Sequence, residues 1–514
     1  MNNLPIGIQS FENIRARNGI YVDKTEYIYK LISETSSYFF LSRPRRFGKS
    51  LLLSKLSNLF RGNKQLFEGT WIYDKISFEP HPVLHFDMSV LDYKDQSLQT
   101  ALTFELNQKA EDWGITLKGK SPKTMFKELI IQLSKQNKVI VLIDEYDKPI
   151  HDYLDNLKQA EANRKALANF YGVIKGVDAH LRFCIFTGVS RFSRMSIFSE
   201  LNHLRDITLD SDYAGMLGYT HPELLHYFSD YLNEVAKKYN STLEKILPHV
   251  KEWYNGCSWD GKIFVYNPFS MLMFLANKVF YNYWFETGIP TFLTKLLHQN
   301  FKYNLEPFEV QQFSLASTSI SQIDETSLLF QTGYLTIKQI RRDGLRQVYQ
   351  LAYPNTEVKD AFLQYMFMEF NHNQQLSGVM TKIDRLINAL ENHEIEDFVE
   401  VFNTIFASIP YQIFIANQEA YYHSVVYLTL QLVGIQIVAE VSQAKGRADA
   451  IIHLKNSIYI LEFKLNQNAQ IALQQIKDNG YANPYLQQGK EVRLLGLNMT
   501  ANKKAFTDFV SEVA

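Results

Sequence analysis

The stretch Ser42-Arg43-Pro44-Arg45-Arg46-Phe47-Gly48-Lys49-Ser50 constrains the first half of this 514-residue chain more than any other. The apolar run Tyr38-Phe39-Phe40-Leu41 leads into it and reads as a buried strand. A helix leaves it, with Leu52, Leu53, Leu56, Leu59 and Phe60 recurring on one side. Strand, tight loop, Gly-Lys-Ser and helix together form the layout of a phosphate-binding loop of the Walker A type. The helix N-terminus offers unpaired N–H groups and a partial positive charge to phosphates. Arg46, Phe47, Gly48, Lys49, Ser50 and Leu51 are therefore the expected nucleotide contacts. Lys49 would reach the β- and γ-phosphates and the Ser50 hydroxyl would hold Mg²⁺. Arg43 stands where the pattern G-x-x-x-x-G-K-[ST] has its first glycine. The loop must start differently there, because arginine avoids the positive φ that glycine permits.

Gly-Lys-Ser alone also occurs at ordinary helix starts, so a second motif has to support it. Lys138-Val139-Ile140-Val141-Leu142-Ile143-Asp144-Glu145-Tyr146-Asp147 supplies one. Its aliphatic run reads as a strand buried on both faces, with carboxylates at the C-terminal end where open α/β sheets bind ligands. In this Walker B-type role Asp144 binds Mg²⁺, directly or through water, and Glu145 orients and deprotonates the attacking water. A strand-end Asp is often only a helix cap, but the upstream loop favours the nucleotide. A third strand, Arg182-Phe183-Cys184-Ile185-Phe186-Thr187-Gly188-Val189-Ser190-Arg191, also ends in polar residues. Thr187 or Ser190 is placed to sense the γ-phosphate, and Arg191 or Arg194 to act as an arginine finger. For either arginine taken singly, a solvated loop charge is the favoured reading.

Arg43 to Ser50, Ile143-Asp144-Glu145-Tyr146-Asp147 and Thr187-Gly188-Val189-Ser190-Arg191-Phe192-Ser193 closely resemble the predicted AAA-ATPase family of bacteria. Leu4-Pro5-Ile6-Gly7, Tyr21-Val22-Asp23-Lys24-Thr25, Trp253-Tyr254-Asn255-Gly256-Cys257 and Val265-Tyr266-Asn267-Pro268-Phe269 are similar to it as well. The resemblance spans nearly the whole chain. It implies an ATPase with a C-terminal nuclease-like domain of the PD-(D/E)XK superfamily, and it makes the Arg-Pro-Arg-Arg-Phe loop a family trait. It also implies that the strand ending at Thr187 lies between the other two, and that residues 1–32 pack against the ATPase core. The expected architecture is α/β: a P-loop NTPase parallel sheet over 1–215 and a helical lid with a winged-helix-like region over 216–365. A helical linker over 366–415 and a restriction-endonuclease-like α/β domain over 416–514 complete it.

Bulk properties set limits. A net charge of −1 gives no global pull toward nucleic acid, so any such contact needs a local basic face. Two cysteines, Cys184 and Cys257, allow neither a disulfide framework nor a zinc set, which suits a cytoplasmic protein. The N-terminus reads as lacking a signal peptide. The most apolar segment, Val425 to Val441, is interrupted by Gln431, Gly434 and Gln436, so no membrane span is expected.

His221 to Lys238 reads as one helix. Farther on, a helix ending near Gly333 precedes a hairpin turning at Asp343-Gly344, the outline of a winged helix. Arg341, Arg342 and Arg346 near its tip are candidate phosphate contacts, or a solvated turn. The last domain reads helix (Glu419 to Val433), three strands, helix (Asn468 to Asn479), strand and a final helix. Glu462 and Lys464 are two apart on one strand and share a face. A hairpin brings Asp449 beside them. D-x₁₂-E-x-K suits metal-dependent phosphodiester cleavage. Asp449 and Glu462 hold Mg²⁺ or Mn²⁺ through oxygen ligands, and Lys464 positions or polarises the water. Gln475 fits the following helix of that motif, with Glu419 and His423 as weaker first-helix candidates. A surface salt bridge is the plainer reading of Glu462 and Lys464. The sequence thus points to an ATP-hydrolysing P-loop ATPase coupled to a metal-dependent nuclease-like domain acting on DNA or RNA. The alternative is a nucleotide-dependent signalling switch whose nuclease-like domain binds without cleaving. Homo-oligomerisation is compatible with either.

Overall fold

The computed structural model describes residues 2–191, 198, 204–284, 308–315, 325–344, 346–370, 385–408, 425–427, 429–430, 436–443 and 446–514. The chain divides into two compact units, Met1–Gly288 with Leu305–Lys359, and Ile289–Asn304 with Asp360–Ala514. The expected boundary at 215/216 falls inside the first of these.

The first unit is built on β1 (Tyr38–Ser42), β2 (Val83–Asp87), β3 (Val139–Asp144), β4 (Leu181–Gly188) and β5 (Arg205–Asp206). They form one parallel sheet in the order β2-β3-β4-β1-β5, so the strand ending at Thr187 does lie between the other two. All of β1 and β3 is buried, as expected of strands covered by helices on both faces. The helix Lys49–Phe60 leaves β1 and buries Leu52, Leu53, Leu56, Leu59 and Phe60.

The N-terminal segment joins two cores. Phe11, Ile28 and Leu31 pack with the strands and Leu52, Leu56 and Leu59, whereas Ile20 and Val22 pack with Leu224, Phe228, Leu232 and Phe274. A buried ion pair reinforces the joint: Lys24 Nζ lies 2.6 Å from Glu223 Oε2 and donates to Gly215 O. Glu223 accepts in turn from Thr220 in a capping box, which starts the helix His221–Tyr227.

The expected single helix over His221 to Lys238 is two, His221–Tyr227 and Ser229–Lys238. Phe228, between them, leaves helical geometry at φ −121° while its ring stays buried in the core. Short strands β6 (Tyr219–Thr220) and β7 (Val265–Tyr266) pair antiparallel. The winged-helix-like region comprises the helix Glu325–Thr332 and β8 (Phe308–Gln311), β9 (Thr336–Asp343) and β10 (Arg346–Ala352), ordered β8-β10-β9. Arg341 at the hairpin end is paired with Glu309 of β8, while Arg342 and Arg346 are exposed.

The second unit is a mixed sheet of β11 (Gln436–Gln443), β12 (Gly446–His453), β13 (Ser457–Leu465), β14 (Glu491–Thr500) and β15 (Ala505–Val513), in that order. Only β13 and β14 are parallel, and the helix Ala469–Asn479 connects them. It lies close to the sheet at Gly496, where a Cβ would sit 2.4 Å from Ala469 O. The chain therefore ends in a strand, not the expected helix: β15 pairs antiparallel with β14. The expected helix Glu419 to Val433 lies largely outside the described residues; residues 425–427 and 429–430 are helical. Among the described residues no helix is long and apolar enough to cross a membrane.

Candidate functional site

The phosphate loop takes its left-handed residues at Arg46 (φ 66°) and Gly48 (φ 89°), leaving Arg43 in ordinary backbone geometry. Arg43 instead turns its side chain inward and is fully buried. Its Nη1 donates to Ser42 O at 2.8 Å and Thr208 O at 2.9 Å, and its guanidinium lies 3.9 Å over the Trp259 ring. Burial pulls its pKa down to about 9, although Asp206 and Asp260 oppose the shift. Phe47 is buried edge-on against the same indole, with centroids 5.3 Å apart. Phe47 is thus an anchor of the loop and is not among the side chains lining the cleft. Lys49 folds back under the loop and donates to the carbonyls of Arg43 and Pro44, each at 3.1 Å. Burial lowers its pKa, against the pull of Asp144, Glu145 and Asp147.

At the end of β3 the buried Asp144 accepts from Thr187 Oγ1 at 2.6 Å and from the Glu145 amide at 3.0 Å, both on Oδ1. Thr187 is therefore committed to holding Asp144. Glu145 adopts a left-handed φ of 47°, a strained conformation of the kind that collects at functional sites. Burial raises its pKa above 4.5; Lys49 counters this, and Asp147 and Asp144 add to it.

One residue that sequence reasoning left without a role organises the next layer. Asp147 is buried and accepts from the Ser190 amide and Oγ, each at 2.7 Å, with His151 Nε2 3.1 Å away. Burial alone would raise its pKa; His151 and the Ser190 hydrogen bonds outweigh that and lower it. Ser190 thus faces Asp147. Arg191 is ion-paired with Asp206 and donates to Leu315 O at 3.1 Å, so it does not line the cleft. Arg194 lies outside the described residues.

A cleft of about 380 Å³ unites the rest. Arg45, Arg46, Gly48, Lys49, Ser50 and Leu51 line it together with Glu145 and Lys148. Pro5, Gly7, Ile8 and Gln9 of the N-terminal segment and Pro268, Phe269 and Leu272 line it as well. Asn267 sets the contribution of residues 268–272 locally. It caps the helix Pro268–Asn277 by accepting from the amides of Phe269 and Ser270, which presents Phe269 at the cleft. The Asn-Pro pair in the sequence was the available signal for it.

In the second unit, extending the register Ala450↔Leu461 by one step sets Asp449 beside Glu462. Asp449 Oδ2 accepts from the Phe463 amide at 2.8 Å, and Lys464 Nζ lies 3.1 Å from Glu462 Oε1. Glu462 is buried and its Oε2 has no hydrogen-bond partner among the described residues. Burial, with Asp449 adding to it, raises its pKa to about 7. A buried oxygen without a donor beside a second carboxylate is the environment that a hard divalent cation satisfies. Among the described residues no group of three or more His, Cys, Asp or Glu side chains is placed to hold a metal. Asp449 and Glu462 would supply two carboxylate ligands to such a cation. Gln475 is half-buried on the helix Ala469–Asn479, and Glu419 and His423 lie outside the described residues.

A P-loop-type parallel sheet and a nuclease-type mixed sheet on one chain define the class. Residues 5–198 match the profile of the family described as predicted AAA-ATPase, and residues 417–508 match that of the PD-(D/E)XK nuclease superfamily. An uncharacterized protein in the vnfD 5′ region of Azotobacter chroococcum mcd 1 is 37% identical, across 99% of this chain and 98% of its own length. No solved structure matches the chain. The chain belongs to the predicted AAA-ATPase family, in the form that carries a C-terminal PD-(D/E)XK nuclease-superfamily domain.

The buried guanidinium yields a counter-intuitive expectation. Arg43→Gly restores the usual loop sequence, yet it strips three carbonyls and an indole face of their partner. Chemical denaturation should show a loss of about 3 kcal/mol. A variant as stable as the wild type would mean that the guanidinium is not structural.

Proposed function

We propose that this protein binds and hydrolyses ATP in the cleft of the first unit, and that this controls a divalent-cation site in the second acting on DNA or RNA. The observation that carries the first half is that Lys49, Ser50 and Glu145 face one cleft, with Asp144 held just behind by Thr187. In this reading the amides opening the helix Lys49–Phe60, together with Arg46 and Leu51 beside them, take the phosphates. Lys49 leaves the carbonyls of Arg43 and Pro44 for the β- and γ-phosphates. Ser50 and Asp144 hold the Mg²⁺ that accompanies the nucleotide. Glu145 orients the water and accepts its proton, and its raised pKa strengthens it as a base. Arg191 is assigned no contact with the nucleotide. Its amide donates to Gln331 Oε1 at 2.9 Å, which links the loop after β4 to the winged-helix-like region.

In the second unit Asp449 and Glu462 hold Mg²⁺ or Mn²⁺, and Lys464 positions the attacking water. The cation, when bound, supplies charge stabilisation at the scissile phosphate. The experiment is a nuclease assay with Mg²⁺ or Mn²⁺, with and without ATP, on single- and double-stranded DNA and RNA. Cleavage abolished by Glu462→Ala and altered by Lys49→Ala is the expected result. ATP turnover with no cleavage of any substrate would replace this reading by the nucleotide-dependent switch.

Proton competition gives a second check. Glu462 titrates near 7, and metal binding needs it ionised. Mn²⁺ affinity of the second unit should therefore be greatest above pH 7 and fall by up to about tenfold per pH unit below it. Calorimetric titration at pH 8 and pH 6 measures this; equal affinities would remove Glu462 from the ligand set.

A further inference from the structure

Four cationic side chains line the cleft: Arg45, Arg46, Lys49 and Lys148. Three of them already have partners within the chain. Lys49 donates to loop carbonyls, Arg46 stacks 4.6 Å over the Phe269 ring, and Lys148 is ion-paired with Asp152. Arg45 is half-buried and makes no hydrogen bond, ion pair or ring contact among the described residues. It directly follows Pro44, whose carbonyl receives the Lys49 ammonium, and both cationic side chains line the same cleft, close enough for their charges to act on one another. A guanidinium that shares a cleft with a like charge and has no counter-ion among the described residues is poised for an anion that both can share. Arg191 is spent elsewhere, in its ion pair with Asp206 and its bond to Leu315 O.

We propose that Arg45 supplies, from the same chain as the phosphate loop, the guanidinium that binds the terminal phosphate of the nucleotide and stabilises the charge developing on it. This rests on the hydrolytic reading above. In the step concerned the water oxygen bonds to the γ-phosphorus as the bridging P–O bond breaks. The electron pair leaves on the β-phosphate oxygen of ADP, and the water proton passes to Glu145. Arg45 forms no covalent bond; its two-pronged donor set meets the γ-phosphate oxygens. Hydrolysis thereby needs no arginine from a neighbouring copy.

Full-length Arg45→Ala and Arg45→Lys test this, with ATP binding measured by calorimetry and turnover measured separately. Arg45→Ala should lower kcat by on the order of 10²-fold or more while ATP affinity changes by less than about tenfold. Arg45→Lys should recover part of the loss, because it restores the charge without the fork. An equimolar mixture of Arg45→Ala with Lys49→Ala should stay as slow as its components, since each protomer needs both residues. Unchanged turnover in Arg45→Ala overturns the assignment alone, and so does recovery of activity in the mixture, which would place the guanidinium in trans. A wild type that neither binds nor hydrolyses ATP overturns the hydrolytic reading itself.

Discussion

A charged guanidinium shut away from water underlies the phosphate loop, and much of the first unit is arranged to make that tolerable. Burying a charge costs several kcal/mol unless hydrogen bonds and counter-charges offset it. Arg43 receives both: the carbonyls of Ser42, Thr208 and Tyr213, the Trp259 ring, and the nearby charges of Asp206 and Asp260. Its direction fixes the loop. With a side chain reaching inward at the position that usually carries glycine, the left-handed turn moves to Arg46 and Gly48. The carbonyls of residues 43 and 44 are left facing Lys49. Because Phe47 packs on the same indole, the loop and the segment that carries Trp259 share one piece of packing.

The N-terminal segment plays the corresponding part on the other side of the cleft. Residues of one short stretch enter two hydrophobic cores, and the Lys24–Glu223 pair sits where they meet. Pro5, Gly7, Ile8 and Gln9 of this segment line the same cleft as Gly48, Lys49 and Phe269.

Much of this was legible in the sequence because strong local patterns coincide with the global fold. The unbroken aliphatic run Val139–Ile143 could only be a buried strand, and Gly48-Lys49-Ser50 between a strand and an apolar helix has few other uses. In the second unit, the spacing of Asp449, Glu462 and Lys464 was enough to bring the three together once two strands paired. What was not legible depended on partners far away in the chain. Nothing near Arg43 announces Trp259 or Thr208, and Asp147 meets Ser190 only because β3 and β4 are neighbours. Phe506, Phe509, Val510 and Val513 recur at helical spacing, yet the open edge of β14 draws that segment into β15, so tertiary pairing overrides periodicity. Phe228 breaks an otherwise continuous helical pattern because its ring is needed in the core.

In the proposed function Glu145 and Lys49 belong to one hydrolytic centre. Parallel measurement of ATP affinity and single-turnover hydrolysis in wild type and Glu145→Gln tests it most directly. The amide keeps the shape and removes the base, so binding should persist while hydrolysis slows on the order of 10²- to 10⁴-fold. Hydrolysis within a few-fold of wild type would show that the water is activated elsewhere and that the cleft is not the centre described.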